Sequence, residues 1–343
     1  MRERLNEFDP ERLLPRLKAI QRRMRDAILA DIRAKDLTQR AAVAQDEMSG
    51  DTLYALDQGV EGILLDACRT WGREERFVLI AEGLTEGGNL VFPEGTPEEE
   101  ASFRVIFDPL DGTRGLMYDK RSAWILAGVA PNLGPATCLA DIVLAVQTEV
   151  PTTKQCLADI LWAIKGQGAR GERENLLTGE IRPLPLQPSR ATTIAHGFAM
   201  LSKFFPGRKA VVAAIEEALI RQVAGADRPG KARVFDDQYI CTGGQLYELI
   251  MGHDRFNGDL RAGLMRAQGL EGDPPAIAVH PYDLCTELIA REAGVIVTGL
   301  DGGPLRAPLT VDADVSWLGY ANPTLRARLE PVLQRLFRAY GLL

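Results

Sequence analysis

Asp108-Pro-Leu-Asp-Gly-Thr113 sets two carboxylates three positions apart, directly behind Arg104-Val-Ile-Phe107, an apolar run of strand length. Pro109 is expected to end strand pairing and fix the backbone, so that Asp108 stands at a strand tip and Asp111 follows a tight turn. Two carboxylates facing one small volume repel unless a cation neutralises them. Hard oxygen donors of this kind suit Mg²⁺, with the Leu110 carbonyl as a further donor. Gly112 permits close approach of a phosphate, and Thr113 offers a hydroxyl and a backbone N–H where a helical turn begins. Taken alone the hexapeptide also reads as a plain turn, since Asp, Pro and Gly are all turn formers. Two further acids stand at element ends: Glu82, after the apolar run Phe77-Val-Leu-Ile80, and Asp283, ahead of a helical pattern, where a carboxylate also serves as an N-cap.

The elements that must position these groups change character along the chain. Apolar residues at helical spacing from 11 to 35, with arginines and lysines on the other face, predict one long or two short amphipathic helices with a solvated basic face. A second helical pattern runs from Gln58 to Cys68. Short apolar runs at 77–80, 104–107, 124–129 and 142–146 predict strands, and 161–185 predicts strand, turn and strand. After about Pro188 strands and helices alternate, with helices over 208–223, 244–251 and 283–293 and from about Pro323, and strands over 255–260 and 295–297. The chain is thus expected to be α+β with a largely antiparallel first sheet, in an N-terminal half of residues 1–187 and a C-terminal half of residues 188–343.

At 343 residues, 46% hydrophobic and 25% charged, the composition is that of an ordinary globular protein, long enough for two fused halves with a pocket between them. A formal net charge of −7 argues against nucleic acid as the main partner. Five scattered cysteines with no C-x-x-C pair suggest neither a disulfide framework nor a zinc site. The N-terminus lacks the apolar stretch of a signal peptide, and no run reaches the ~20 apolar residues of a membrane span, so a cytoplasmic location is expected.

In order and context these motifs resemble the inositol monophosphatase superfamily, which also holds fructose-1,6-bisphosphatases and bisphosphate nucleotidases. The hexapeptide is similar to its central signature. Leu79-Ile-Ala-Glu82-Gly is similar to its metal-binding strand end, and His280-Pro-Tyr-Asp283, followed by a helix ending Glu-Ala-Gly294, to its second signature. Lys165-Gly-Gln-Gly-Ala169 and Tyr320-Ala-Asn-Pro323 extend the likeness from about residue 50 to the end. Asp57 is similar to an early aspartate that pairs with the motif threonine, with Asp51 as a competitor. The sequence departs from the family where Gly83 follows Glu82 in place of a second acid and where Arg114 follows the threonine.

The resemblance implies a layered α/β/α/β/α sugar-phosphatase fold with two sheets. It also implies two or three Mg²⁺ ions, one held by Glu82, Asp108 and the Leu110 carbonyl and a second by Asp108, Asp111 and Asp283. Asp57, Glu82 and Thr113 would be catalytic, with Thr113 and Gly112 cradling the phosphate; Arg114, Asp259 and His280 are candidates for the alcohol side of the pocket. The implied activity is hydrolysis of a small phosphorylated polyol, an inositol or sugar phosphate, by a metal-activated water. Fructose-1,6-bisphosphatase and 3′-phosphoadenosine 5′-phosphatase activities stand beside it, since the sequence does not separate them, and a homodimer is expected at family level. A non-catalytic regulatory protein that keeps the fold is a further reading; it would have lost a metal carboxylate or the threonine, and neither is missing.

Overall fold

The computed structural model describes residues 8–40, 43–46, 52–84, 89–225, 231–267 and 277–343. Helix α1 (Pro10–Ala34) is capped by Asp9, whose carboxylate accepts the Glu11 N–H at 2.9 Å. A short helix α2 (Leu37–Arg40) and the pair β1 (Val43–Asp46) and β2 (Thr52–Tyr54) lead into α3 (Ala55–Trp71). Then come β3 (Phe77–Ala81), β4 (Asn89–Phe92), β5 (Phe103–Asp111), α4 (Thr113–Met117), β6 (Ala123–Pro131), β7 (Leu144–Val150), β8 (Leu157–Ile164), β9 (Ala169–Asn175) and β10 (Ile181–Pro183). These strands form an eight-stranded sheet in the order β10-β9-β8-β7-β6-β5-β3-β4, antiparallel except between β3 and β5.

The rest of the chain runs β11 (Gly197–Leu201), α5 (Lys209–Val223), β12 (Val234–Phe235), α6 (Thr242–Ile250), β13 (Asp254–Asp259), α7 (Arg261–Ala267), α8 (Pro281–Leu284), α9 (Glu287–Ala293), β14 (Ile296–Thr298), β15 (Trp317–Tyr320) and α10 (Pro323–Ala339). Its five-stranded sheet has the order β12-β11-β13-β15-β14. Among the described residues no helix is long and apolar enough to cross a membrane.

The larger sheet is covered on both faces, so its strands read as continuous apolar runs instead of alternating ones. Phe77, Leu79, Val105, Phe107, Ile125 and Ala127 face a core shared with α1 and α3. Val78, Ile80, Ile106, Trp124 and Leu126 face a second core shared with α6, α8 and α9 and with the smaller sheet. Helices α5 and α10 pack together beyond that sheet, completing five layers, α/β/α/β/α.

Three local expectations are corrected. The basic face of α1 is not simply solvated: Lys18 and Arg22 pair with Glu172, and the buried Arg25 pairs with Glu174 at 2.9 Å, all on β9. Strand pairing does not stop at Pro109; it resumes at Asp111, opposite Trp124. The helix expected over 283–293 is two short helices that begin at Pro281, where proline suits the first helical position. They break near Thr286, whose hydroxyl donates to Gln147 Oε1 at 3.0 Å and so is spent on the sheet.

Candidate metal centre

Asp108 pairs with Leu126 and Asp111 with Trp124, so the three steps along β5 oppose two along β6. Residues three apart on a regular strand point to opposite faces. One extra residue in a bulge restores the face, and Asp111 joins Asp108 on the side of α6 and α8. Within the bulge the Leu110 N–H donates to Asp108 Oδ1 at 2.9 Å, and the Thr113 hydroxyl donates to the Leu110 carbonyl at 2.8 Å. Gly112, between them, has φ of 90° and sits so close to α6 that a Cβ would stand 2.9 Å from Cys241 Cβ; both conditions select glycine.

Asp283 arrives from α8. Its Oδ2 accepts the His280 N–H at 2.7 Å, closing the first turn of the helix and fixing the carboxylate. One ligand oxygen each from Asp108, Asp111 and Asp283 lie within 4.8 Å of one another. Glu82 approaches from the turn after β3 and receives the Tyr282 hydroxyl at 3.4 Å. Tyr282 stacks on His280, with ring centroids 5.2 Å apart and planes at 6°, so one aromatic pair braces both Glu82 and the start of α8.

Asp111 is gripped from a second direction. Its Oδ2 accepts the Gly243 N–H at 2.6 Å, and Cys241 donates its thiol to the Asp111 carbonyl at 3.4 Å. The start of α6 thereby becomes part of the centre. Burial pushes the Asp111 carboxyl up to about 6 against the lowering effect of the Gly243 N–H. Asp108 is raised well above the carboxylate range, first by burial and then by the charges of Glu82, Asp111 and Asp283.

No sequence-family model matches the chain, and no curated protein matches it. Solved structures do. Leishmania major fructose-1,6-bisphosphatase superposes with a TM-score of 0.66 at 12% identity, over 95% of this chain and 93% of that one. The extragenic suppressor protein SuhB from Bartonella henselae gives 0.62 at 14%, over 94% and 98%. An IMPase from Thermotoga maritima gives 0.59 at 15%, over 96% and 100%. The chain has the fold of the inositol monophosphatase and fructose-1,6-bisphosphatase superfamily.

On this inositol monophosphatase-like fold the remaining candidates take different places. The Asp57 side chain and all of Asp51 lie outside the described residues. The Arg114 guanidinium lies 5.2 Å from the Phe205 ring centre. Asp259 is buried with both oxygens engaged by Arg261, Oδ1 at 3.0 Å from Nε and Oδ2 at 2.7 Å from Nη2. Arg261 in turn lies 5.0 Å from Phe205, so two guanidinium groups share one ring. At Gly83, where the sequence lacks a second acid, a Cβ would meet Glu61 Oε1 from α3 at 2.5 Å. The contacts of Arg261, Tyr282, Cys241 and Gly243 were not read from the sequence. Only the Asp-x-Arg spacing at 259 and 261 hinted at one of them.

Proposed function

We propose that the chain hydrolyses a phosphate monoester of a small polyol, most simply an inositol or sugar phosphate, in a Mg²⁺-dependent reaction. The observation that carries this reading is the convergence of the buried Asp108 and Asp111 with the half-buried Asp283, with the charge of Glu82 bearing on Asp108. Such a cluster is costly unless cations neutralise it, and its donors are all hard oxygens, which fits Mg²⁺. Glu82, Asp108, Asp111, Asp283 and the Leu110 carbonyl would hold two ions. When bound, these supply positive charge to a phosphoryl group and acidify water.

The chain's own residues then bind and orient. Backbone N–H groups at Gly112 and Thr113 are offered to phosphate oxygens, and the Thr113 hydroxyl, with Asp57, to the proton of the attacking water. Arg114, Asp259 and His280 are assigned to the alcohol side on the resemblance of motifs, Asp259 acting through the Arg261 that it holds.

The test is phosphate release by purified protein from inositol phosphates, sugar mono- and bisphosphates and phosphoadenosine phosphate, with Mg²⁺ or EDTA, beside Asp111→Asn. Release that needs Mg²⁺ and drops by about a hundredfold or more in the variant is expected, the scale of removing one group that stabilises transition-state charge. Full activity in EDTA or in the variant would overturn the assignment, and Mg²⁺ binding without turnover would move a regulatory role ahead.

A further inference from the structure

A cavity of about 470 Å³ opens at the ends of β6, β7 and β8, lined by none of Glu82, Asp108, Asp111 or Asp283. We propose that it binds a small phosphorylated ring compound, the ring lying against Tyr247 and the phosphate held by Lys120, Gln155 and Arg173. Its volume is within the range of small-molecule sites.

The acceptors in its walls are already used. Both Asp159 oxygens take Arg173, at 2.6 and 2.7 Å, and one also takes the Tyr247 hydroxyl at 2.7 Å. Glu149 accepts the Ser122 hydroxyl at 2.6 Å and the Asp159 N–H at 3.1 Å. Burial pushes this carboxyl up to about 7, so at neutral pH it brings only part of a negative charge. Gln155 Oε1 accepts from Thr152 N and Oγ1 at 3.1 and 2.9 Å.

The donors are left over. Among the described residues Lys120 Nζ, Gln155 Nε2 and Arg173 Nη1 make no hydrogen bond to protein, although all three residues line the cavity. A wall with spent acceptors and spare donors, two of them cationic, selects an acceptor-rich anion, and a phosphate dianion answers it better than a neutral polyol. The aromatic part is fixed as well. Trp124 is buried, its indole N–H spent on the Tyr239 hydroxyl at 3.1 Å and its ring packed 4.6 Å from Tyr247, so the half-buried Tyr247 is the aromatic surface that a rigid neighbour holds toward the cavity.

The probe is phenylphosphonate, which carries a ring and a dianion and has no ester bond to hydrolyse. It is titrated calorimetrically into the full-length protein in EDTA, where the acid trio repels an anion. Inorganic phosphate and benzyl alcohol serve as the two fragments. Phenylphosphonate is expected to bind at least about tenfold more tightly than either fragment, or ~1.4 kcal/mol. Lys120→Glu reverses one surface charge, and Leu157→Trp fills the mouth; each is expected to weaken binding about tenfold or more. Circular dichroism establishes that each variant is folded, and either folded variant suffices. Absence of binding to the wild-type protein, or equal binding by wild type and folded variants, would overturn the site.

Discussion

Glu149 shows how a buried acid outside the metal centre leaves a signature in stability. Its carboxyl is raised from 4.5 to about 7, chiefly by burial. Between those values the native chain keeps a proton that the unfolded chain has released. Stability is therefore fully present below the unfolded value, declines as pH rises, and is lost once pH passes the folded value. Glu149→Gln removes the titration, and its amide can serve both neighbours by accepting from Asp159 N and donating to Ser122 Oγ. Urea denaturation should find the variant close to wild type near pH 5 and more stable near pH 8, by up to about 3 kcal/mol. Equal pH dependence in the two proteins would remove the assignment. Residues differ in how far the sequence exposes them. Asp108, Asp111 and Asp283 stand out because turn chemistry and local spacing surround them with recognisable neighbours. The Gly243 N–H on Asp111 spans 132 positions, and nothing local to either residue marks it.

At the level of elements, the approach of α8 to the sheet decides where Asp283 stands. Gly128 on β6 makes room: a Cβ there would lie 2.8 Å from the Cys285 carbonyl and from Ile142 Cδ1. Gly128→Val should push α8 outward, lower stability by about 1–3 kcal/mol as other overpacked sites do, and weaken Mg²⁺ binding. Thermal denaturation and Mg²⁺ calorimetry read the two effects separately, and unchanged Mg²⁺ affinity would show that α8 docks independently of Gly128. The first helix makes a parallel case. Its basic residues looked solvated because acids are interleaved along it, yet the partners they use lie on β9. Glu174→Ala removes one of the two carboxylates that hold Arg25, which is 2% exposed and keeps Asp26 at 2.9 Å, and should cost about 1.5–3 kcal/mol in urea denaturation, the scale of a hydrogen bond to a charged group. Strand and helix positions were legible because their apolar periods are strong. The break at Thr286 was not, because a hydrogen bond to another element decides it.

In the whole molecule the candidate metal centre draws on parts that pack in different layers: β3 and β5 in the larger sheet, α6 and α8 between the sheets. Mg²⁺ bound there would recognise only the folded chain. Saturating Mg²⁺ should raise the melting temperature, by about 2.7 kcal/mol of stability at a hundredfold excess over Kd, and EDTA should reverse it. The layered architecture followed from a resemblance of motifs. The order of strands and the sharing of one core by two sheets are tertiary facts that local patterns do not contain. Gln147 condenses them into a single side chain. Buried on β7, it donates to the Gly243 carbonyl at 2.8 Å and accepts from Thr286 at 3.0 Å. One rigid amide therefore gauges the separation between the segment that grips Asp111 and the one that carries Asp283. The two segments are thus tied together by a side chain outside the acid cluster. An engineer who wished to change the spacing of the acid cluster could begin at Gln147 and leave every candidate ligand in place.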